Sequence, residues 1–263
     1  MKRTYLIDIG NSALKWAEAT TPQNTGVITY GDMVMLAEQV RDFYRHQRPE
    51  LIYACTVAHS VIASTVQQVC ERTRIELLGS QREFNGAFHV VNRYDDYTKL
   101  GPDRWYAALG AVSKHPDENL LIVQMGTALT ADSIICRGEG EYEYLGGRIA
   151  PGPTMMFKSL QQGTARLHVP SGTYQTFPQN SSDGISTGIT DCVRGFISGG
   201  LEAVGEAAKP KLVITGGAAH YYEKAFERYF PGYLIEDNLV ITGLSLRIRR
   251  ENEIGRASCR ERV

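Results

Sequence analysis

The sequence predicts an α/β protein built from two similar halves. Two observations carry this. Apolar, strand-like runs alternate with segments of helical spacing along the chain, and a strand–glycine turn–strand pattern near the amino terminus returns at Leu120. A length of 263 residues accommodates two domains of ordinary size. The repeat is specific in its details. "YLIDIGNSALKWAEA" and "LLIVQMGTALTADSI", aligned on Gly10 and Gly126, each give an apolar strand, a glycine turn with a hydroxyl residue, and a second strand. Asp8 then falls opposite Gln124, and Ser12 lies near Thr127. Such an echo marks a duplicated domain; the plainer account is two buried hairpins that look alike by chance.

The elements follow in order. Tyr5, Leu6, Ile7 and Ile9 read as a buried strand interrupted by Asp8, and Gly10, Asn11 and Ser12 read as a tight polar turn. "MVMLAEQVRDFYRHQ" has apolar residues at helical spacing, "LIYACTVA" is a buried strand, and "VIASTVQQVCERT" is again helical. "RWYAALGAVSKH" closes the first half as a helix broken before Pro116. In the second half, "ISTGITDCVRGFISGGLEAVGEAA" is a long helical pattern, followed by the strand "KLVITGG", a helix through "YYEKAFERYF", and "LVITGLSLRIRR". The expected division is a domain over 1–116 and a second over 117–252, with a ligand cleft between them. The last eleven residues, "EIGRASCRERV", follow a helix that ends in a basic turn. They match no periodic pattern and resemble a read-through of non-native sequence, so 253–263 is set aside from fold reasoning.

Composition narrows the partners. The chain is 43% hydrophobic and 22% charged, as a soluble globular protein is, with a net charge of −1. That balance gives no electrostatic case for nucleic acid or an anionic membrane. Five scattered cysteines without a C-x-x-C pair argue against a disulfide framework or a zinc site and point to a reducing compartment. Asp8 and Asn11 interrupt any signal-peptide core, and no apolar run approaches the roughly 20 residues that span a bilayer. A cytoplasmic protein whose partners are small molecules or other proteins is expected.

Four stretches carry candidate chemistry. There is no P-loop and no G-x-G-x-x-G, so phosphates would have to be held by glycine turns acting as backbone anion nests. Gly10, Asn11 and Ser12 form one such turn and Gly126 with Thr127 a second. Lys15 adds a positive charge, and Asp8 offers a carboxylate to hydrated magnesium. A buried carboxylate needs such compensation, although a lone D-x-G-N-S is also a common structural turn. In "VNRYDDYTKLGPDRWYAALGA", Gly101 and Pro102 make a turn, and Asp103 and Arg104 open the next helix. They suit an N-cap with a surface ion pair. They equally suit a base that accepts a hydroxyl proton beside a clamp for an anionic substrate. "LGGRIAPGPTMMFKSLQQGTARL" would form a shaped wall in which Met155 and Met156 serve as packing. "VITGGAAHYY" ends a buried strand in Gly-Gly, which suits a flat ligand or a close helix contact.

Together and in this order, these motifs resemble the type III pantothenate kinases, a family that includes the Bvg accessory factors. The resemblance covers nearly all of the chain to about residue 250. "DIGNSALK" is similar to the family's phosphate loop, "NRYDDYTKLGPDR" to its substrate segment, and "MGTALTAD" to its second turn; "GGRIAPG", "SLQQGTARL", "STGITDCVRG" and "TGG" follow in place. The resemblance implies two duplicated ribonuclease-H-like domains of the acetate and sugar kinase/chaperone ATPase/actin superfamily. It implies ATP-dependent phosphorylation of the primary hydroxyl of pantothenate, the first step toward coenzyme A. By motif, Asp8, Gly10, Asn11, Ser12 and Lys15 would hold ATP phosphates and Mg2+, and Thr127 would contact ATP. Asp103 would be the general base, and Tyr94, Gly101, Pro102, Asp103, Arg104 and Thr187 would contact pantothenate. A homodimer is also implied.

One position departs from the pattern. The family commonly has an acidic residue two before the glycine of its second turn, associated with K+ or NH4+, and here that monovalent cation position is Gln124. An amide can lend an oxygen but supplies no charge, so cation affinity should weaken. The competing readings are a kinase of the same superfamily for another small hydroxylated substrate, and a non-catalytic accessory protein that keeps the fold. Gln124 favours the accessory protein; Asp8, Lys15, Asp103 and Thr127 weigh against it.

Overall fold

The computed structural model describes residues 2–164, 170–205 and 208–260, with side chains described as far as residue 250. The first half runs β1 (Thr4–Ile9), β2 (Ala13–Glu18), β3 (Thr25–Thr29), α1 (Met33–Gln47), β4 (Leu51–Thr56), α2 (Ser60–Val69) and β5 (Arg74–Leu77). Then come β6 (Glu83–Asn85), β7 (His89–Asn92), a 3-10 turn at Tyr97–Lys99, and α3 (Pro102–Lys114). The second half runs β8 (Leu120–Met125), β9 (Ala128–Gly138), β10 (Glu141–Pro151), α4 (Pro153–Gly163), α5 (Ser181–Val204) and β11 (Lys211–Thr215). A 3-10 turn at Ala219–Tyr222, α6 (Glu223–Tyr229), β12 (Leu234–Ile235) and α7 (Leu239–Arg260) complete it. Two compact units result. One comprises Met1–Asp117, Arg137–Tyr144 and the chain from Asn238 onward; the other comprises Glu118–Cys136 and Leu145–Asp237.

The topology repeats. In the first unit the strand order is β3-β2-β1-β4-β5, and the second, seven-stranded sheet contains the matching run β10-β9-β8-β11-β12, with β7 and β6 added beyond β10. The central strands are used alike: β1 pairs antiparallel with β2 and parallel with β4, and β8 pairs antiparallel with β9 and parallel with β11. This is the duplicated ribonuclease-H-like arrangement. Because each central strand is covered on both faces, its sequence is a nearly continuous apolar run rather than an alternation. Leu120, Leu121, Ile122 and Val123 are all fully buried, as are Leu6 and Ile7 to within 1%. Each such side chain contributes about 1.5–3 kcal/mol on burial. The only carboxylate or amide side chains in these two strands are Asp8 and Gln124.

Each unit has its own core. In the first, Ile7, Ile9, Leu14, Leu36, Val40, Phe43, Ile52 and Val66 pack between the sheet and helices α1 and α2. In the second, Leu121, Val123, Val193, Ile197, Leu212, Ile214 and Phe226 play that part. Helix α1 starts where Asp32 caps it, its carboxylate accepting from the Val34 and Met35 amides at 2.9 Å each. Helix α3 is buried without interruption from Arg104 to Val112, on all sides rather than on one stripe. It seats against α7 through two glycines. A Cβ at Gly110 would stand 2.2 Å from the Leu239 carbonyl oxygen, and one at Gly243 2.0 Å from that of Tyr106. Helix α7 also runs past the expected stop near residue 252: 253–260 hold no proline, so nothing there breaks the helix. Residues 261–263 of the proposed tail lie outside the described residues.

Candidate active site

The first unit builds a charged rung across three strands. Asp8 on β1 is registered with Lys15 on β2 and with Cys55 on β4. Asp8 is partly buried, Cys55 is fully buried, and the Cys55 thiol donates to Asp8 Oδ1 at 3.7 Å. Burial pushes the Asp8 carboxyl up to about 6, helped by the nearby Asp103 charge and opposed by Lys15 and the thiol. Burial, and then Asp8 and Asp103, push the Cys55 thiol well above its ordinary value. A carboxylate raised in this way gains from any cation that joins it.

The turn after β1 is held on three sides. The Gly10 amide donates to Ala13 O at 3.0 Å, the Tyr30 amide donates to Ser12 O at 3.3 Å, and the Tyr30 hydroxyl donates to the Gly10 carbonyl. Burial, and then Asp8, push the Tyr30 phenol up to about 12, so it remains a donor throughout the working pH range. Asn11 accepts the His59 amide at 3.1 Å through its side-chain oxygen, which ties the turn to the start of α2. Ser12 is exposed at the tip. Sequence reasoning missed Tyr30 and Cys55, because nothing in their own neighbourhoods marks them. Their meaning comes from the pairing of β3 and β4 with the central hairpin.

The start of α3 supplies the second carboxylate. Gly101 is the N-cap residue, Pro102 occupies the first turn, and Asp103 follows it. A Cβ at Gly101 would stand 2.6 Å from Asp103 Oδ1, so any larger residue there would push that carboxylate aside. Arg104 is buried, 4% exposed; its Nη1 donates to the Tyr94 hydroxyl at 3.4 Å, and its guanidinium lies 5.8 Å from the Tyr94 ring centroid. Asn92 fixes that residue's backbone by accepting the Tyr94 amide at 3.1 Å. The first unit thus brings together Asp8, Lys15, Tyr94, Gly101, Pro102, Asp103 and Arg104. Asp8 and Asp103 are close enough for one charge to raise the other's carboxyl.

The remaining expected residues belong to the second unit. Gln124 is registered with Thr130 on β9 and with Thr215 on β11. Thr127 sits in the second glycine turn, where its carbonyl accepts the Gly152 amide at 2.9 Å. Thr187 lies on α5; its hydroxyl accepts the Gln175 amide at 3.0 Å and so holds the loop before α5 against that helix. In "SLQQGTARL", residues 165–167 lie outside the described residues.

Comparison with known proteins places this geometry. The family model for type III pantothenate kinases matches residues 5–203. The chain belongs to the type III pantothenate kinase family. A type III pantothenate kinase of Paracidovorax citrulli is 33% identical over 255 residues, covering 92% of this chain and 96% of the relative. One from Laribacter hongkongensis is 31% identical over 245 residues, covering 91% and 96%. Among solved structures, a protein assigned as a Baf family transcriptional activator from Campylobacter jejuni superposes with a TM-score of 0.57 at 20% identity, covering 95% of this chain and 98% of its own. A protein assigned as a 2-dehydro-3-deoxygalactonokinase from Sinorhizobium meliloti gives 0.51 at 12% identity, covering 92% and 97%. The two structures share the fold. The sequence relatives share the type III pantothenate kinase family.

Proposed function

We propose that this chain transfers the terminal phosphoryl group of ATP to the primary hydroxyl of pantothenate, the first step of coenzyme A biosynthesis. Family membership over nearly the whole chain supports the reaction, and the juxtaposition of Asp8 and Asp103 carries the division of labour. Phosphoryl transfer needs positioning and charge neutralisation more than covalent chemistry from the protein. Asp103 accepts the hydroxyl proton as the phosphorus–oxygen bond forms, from a helix that packing holds still. Arg104, Tyr94, Gly101, Pro102 and Thr187 hold pantothenate. The Gly10–Ser12 turn and Lys15 hold the ATP phosphates, and Thr127 contacts ATP. Magnesium, when bound, neutralises phosphate charge. Asp8 fits it as a ligand, because a carboxylate raised by burial and by a second acid is stabilised by a divalent cation. We extend the same reading to a cytoplasmic homodimer; among the described residues no helix is long and apolar enough to cross a membrane.

The test is ATP-dependent phosphorylation by the purified chain over a panel of pantothenate, other hydroxylated acids and sugars. Pantothenate should lead the panel by at least about tenfold in kcat/KM, the discrimination of roughly 1.4 kcal/mol that a few placed polar contacts supply. A sugar or another acid preferred over pantothenate contradicts the proposed substrate.

A further inference from the structure

The family associates the second turn with a monovalent cation, and the donor set at that turn in this chain does not fit one. The rung that corresponds to Lys15–Asp8–Cys55 is Thr130–Gln124–Thr215, three neutral side chains at one level of β9, β8 and β11. Among the described residues, the buried Gln124 Nε2 has no hydrogen-bond partner, nor does the buried hydroxyl of Thr130, a residue 7% exposed. Registered neighbours share one face of an antiparallel pair, so these two groups line the same side of the hairpin. An amide N–H is a donor and repels a cation.

Three carbonyl oxygens around the turn, which could stand in for a carboxylate, each already accept one hydrogen bond and supply no net charge. Met125 O accepts the Ala218 amide at 3.1 Å, Thr127 O accepts the Gly152 amide at 2.9 Å, and Ala128 O accepts the Gly126 amide at 3.0 Å. What remains unsatisfied in the rung is an amide N–H, which only donates, and a hydroxyl, which can turn its O–H toward the same acceptor. A buried donor left without a partner is destabilising, and an incoming acceptor oxygen recovers that loss.

We propose that this rung is a hydrogen-bond-donor site that receives an uncharged or anionic oxygen, from water or a phosphate, and that the protein therefore folds and turns over independently of K+ and NH4+. The proposal takes only the cation from the kinase reading; the donor set is this chain's own.

The experiment measures thermal melting and pantothenate phosphorylation of the whole chain in KCl, NH4Cl and tetramethylammonium chloride at matched ionic strength. Melting reports on the site even if no substrate is turned over, so failure of the kinase reading is distinguished from failure of this one. The expected result is equal melting in the three salts and turnover within about twofold, less than the tenfold that 1.4 kcal/mol of cation coupling would give. Gln124→Asp restores the charge, and its melting should rise by about 5–10 °C specifically in K+ or NH4+ at saturating salt. A K+- or NH4+-specific rise in melting of the unaltered chain, or strong stimulation of its turnover, overturns the proposal. A folded Gln124→Asp that melts alike in all three salts also overturns it, because charge at this rung would not then decide cation binding. If that variant does not fold, the salt series on the unaltered chain decides by itself.

Discussion

The two glycine hairpins are the same structure carrying opposite chemistry. Both lie at the ends of central strands buried on both faces, and both place one polar side chain two residues before the glycine. In the first, Asp8 sits between a lysine and a thiol, and Asp103 adds a second negative charge nearby. In the second, Gln124 sits between two threonines. Duplication has preserved the backbone socket, while a single rung sets the chemistry of each copy. One copy stores electrostatic tension that a cation relieves; the other stores unsatisfied donors that an oxygen relieves.

The largest effect expected from this contrast is that of Asp8→Asn. It should lower kcat by about 10²–10³, the scale for removing one electrostatic group from a transition-state site. In the metal-free chain the same change should raise stability at neutral pH. The folded Asp8 carboxyl titrates at about 6 rather than at its ordinary 3.8. The folded state thus holds the proton more tightly than the unfolded one. Stability linked to Asp8 is therefore complete below about 3.8, declines between there and about 6, and is lost above it, by at most about 3 kcal/mol. Denaturant melts of both proteins from pH 4 to 8 check this: the curves should diverge as pH rises, and a constant separation would contradict the raised carboxyl.

Gly101→Ala comes next. Its methyl group would crowd the Asp103 carboxylate, and kcat should fall by about 10- to 100-fold with pantothenate KM less affected. Steady-state kinetics decide it. Tyr30→Phe removes the hydroxyl that holds the Gly10 carbonyl. It should cost about 0.5–1.5 kcal/mol of stability and raise KM for ATP more than it lowers kcat. An unchanged KM for ATP would free Tyr30 from any part in shaping the turn. The smallest effect is that of Thr130→Val in the neutral rung, which deletes an unsatisfied hydroxyl at nearly constant shape. Thermal unfolding should show no loss, or a gain of up to about 1 kcal/mol.

Much of this was legible in the sequence, and the reason is physical. Strands buried on both faces are apolar throughout, so Asp8 and Gln124 stand out as interruptions, and the glycines after them mark the turns. Helix α1 matches its apolar period from Met33 to Gln47, and the repeat of the hairpin foretold the repeat of strand order. The neighbours of Asp8 across the sheet were harder to read. Cys55 reaches it only through β1–β4 pairing, and Tyr30 reaches Gly10 only because β3 folds back on β2. Asn11 reads as part of the polar turn, but that its amide oxygen also accepts the His59 amide depends on where α2 starts and is not visible locally. Residue type signals chemistry; tertiary pairing decides which groups meet.

The decisive measurement is the single-turnover rate of phosphoryl transfer from ATP to pantothenate by Asp103→Asn, with its fold verified by circular dichroism and its nucleotide affinity measured separately. The expected rate is about 10²–10⁴ below that of the unaltered chain, with ATP affinity retained. Transfer at the unaltered rate by the folded variant would contradict Asp103 as the base, and with it the division of labour between the two carboxylates.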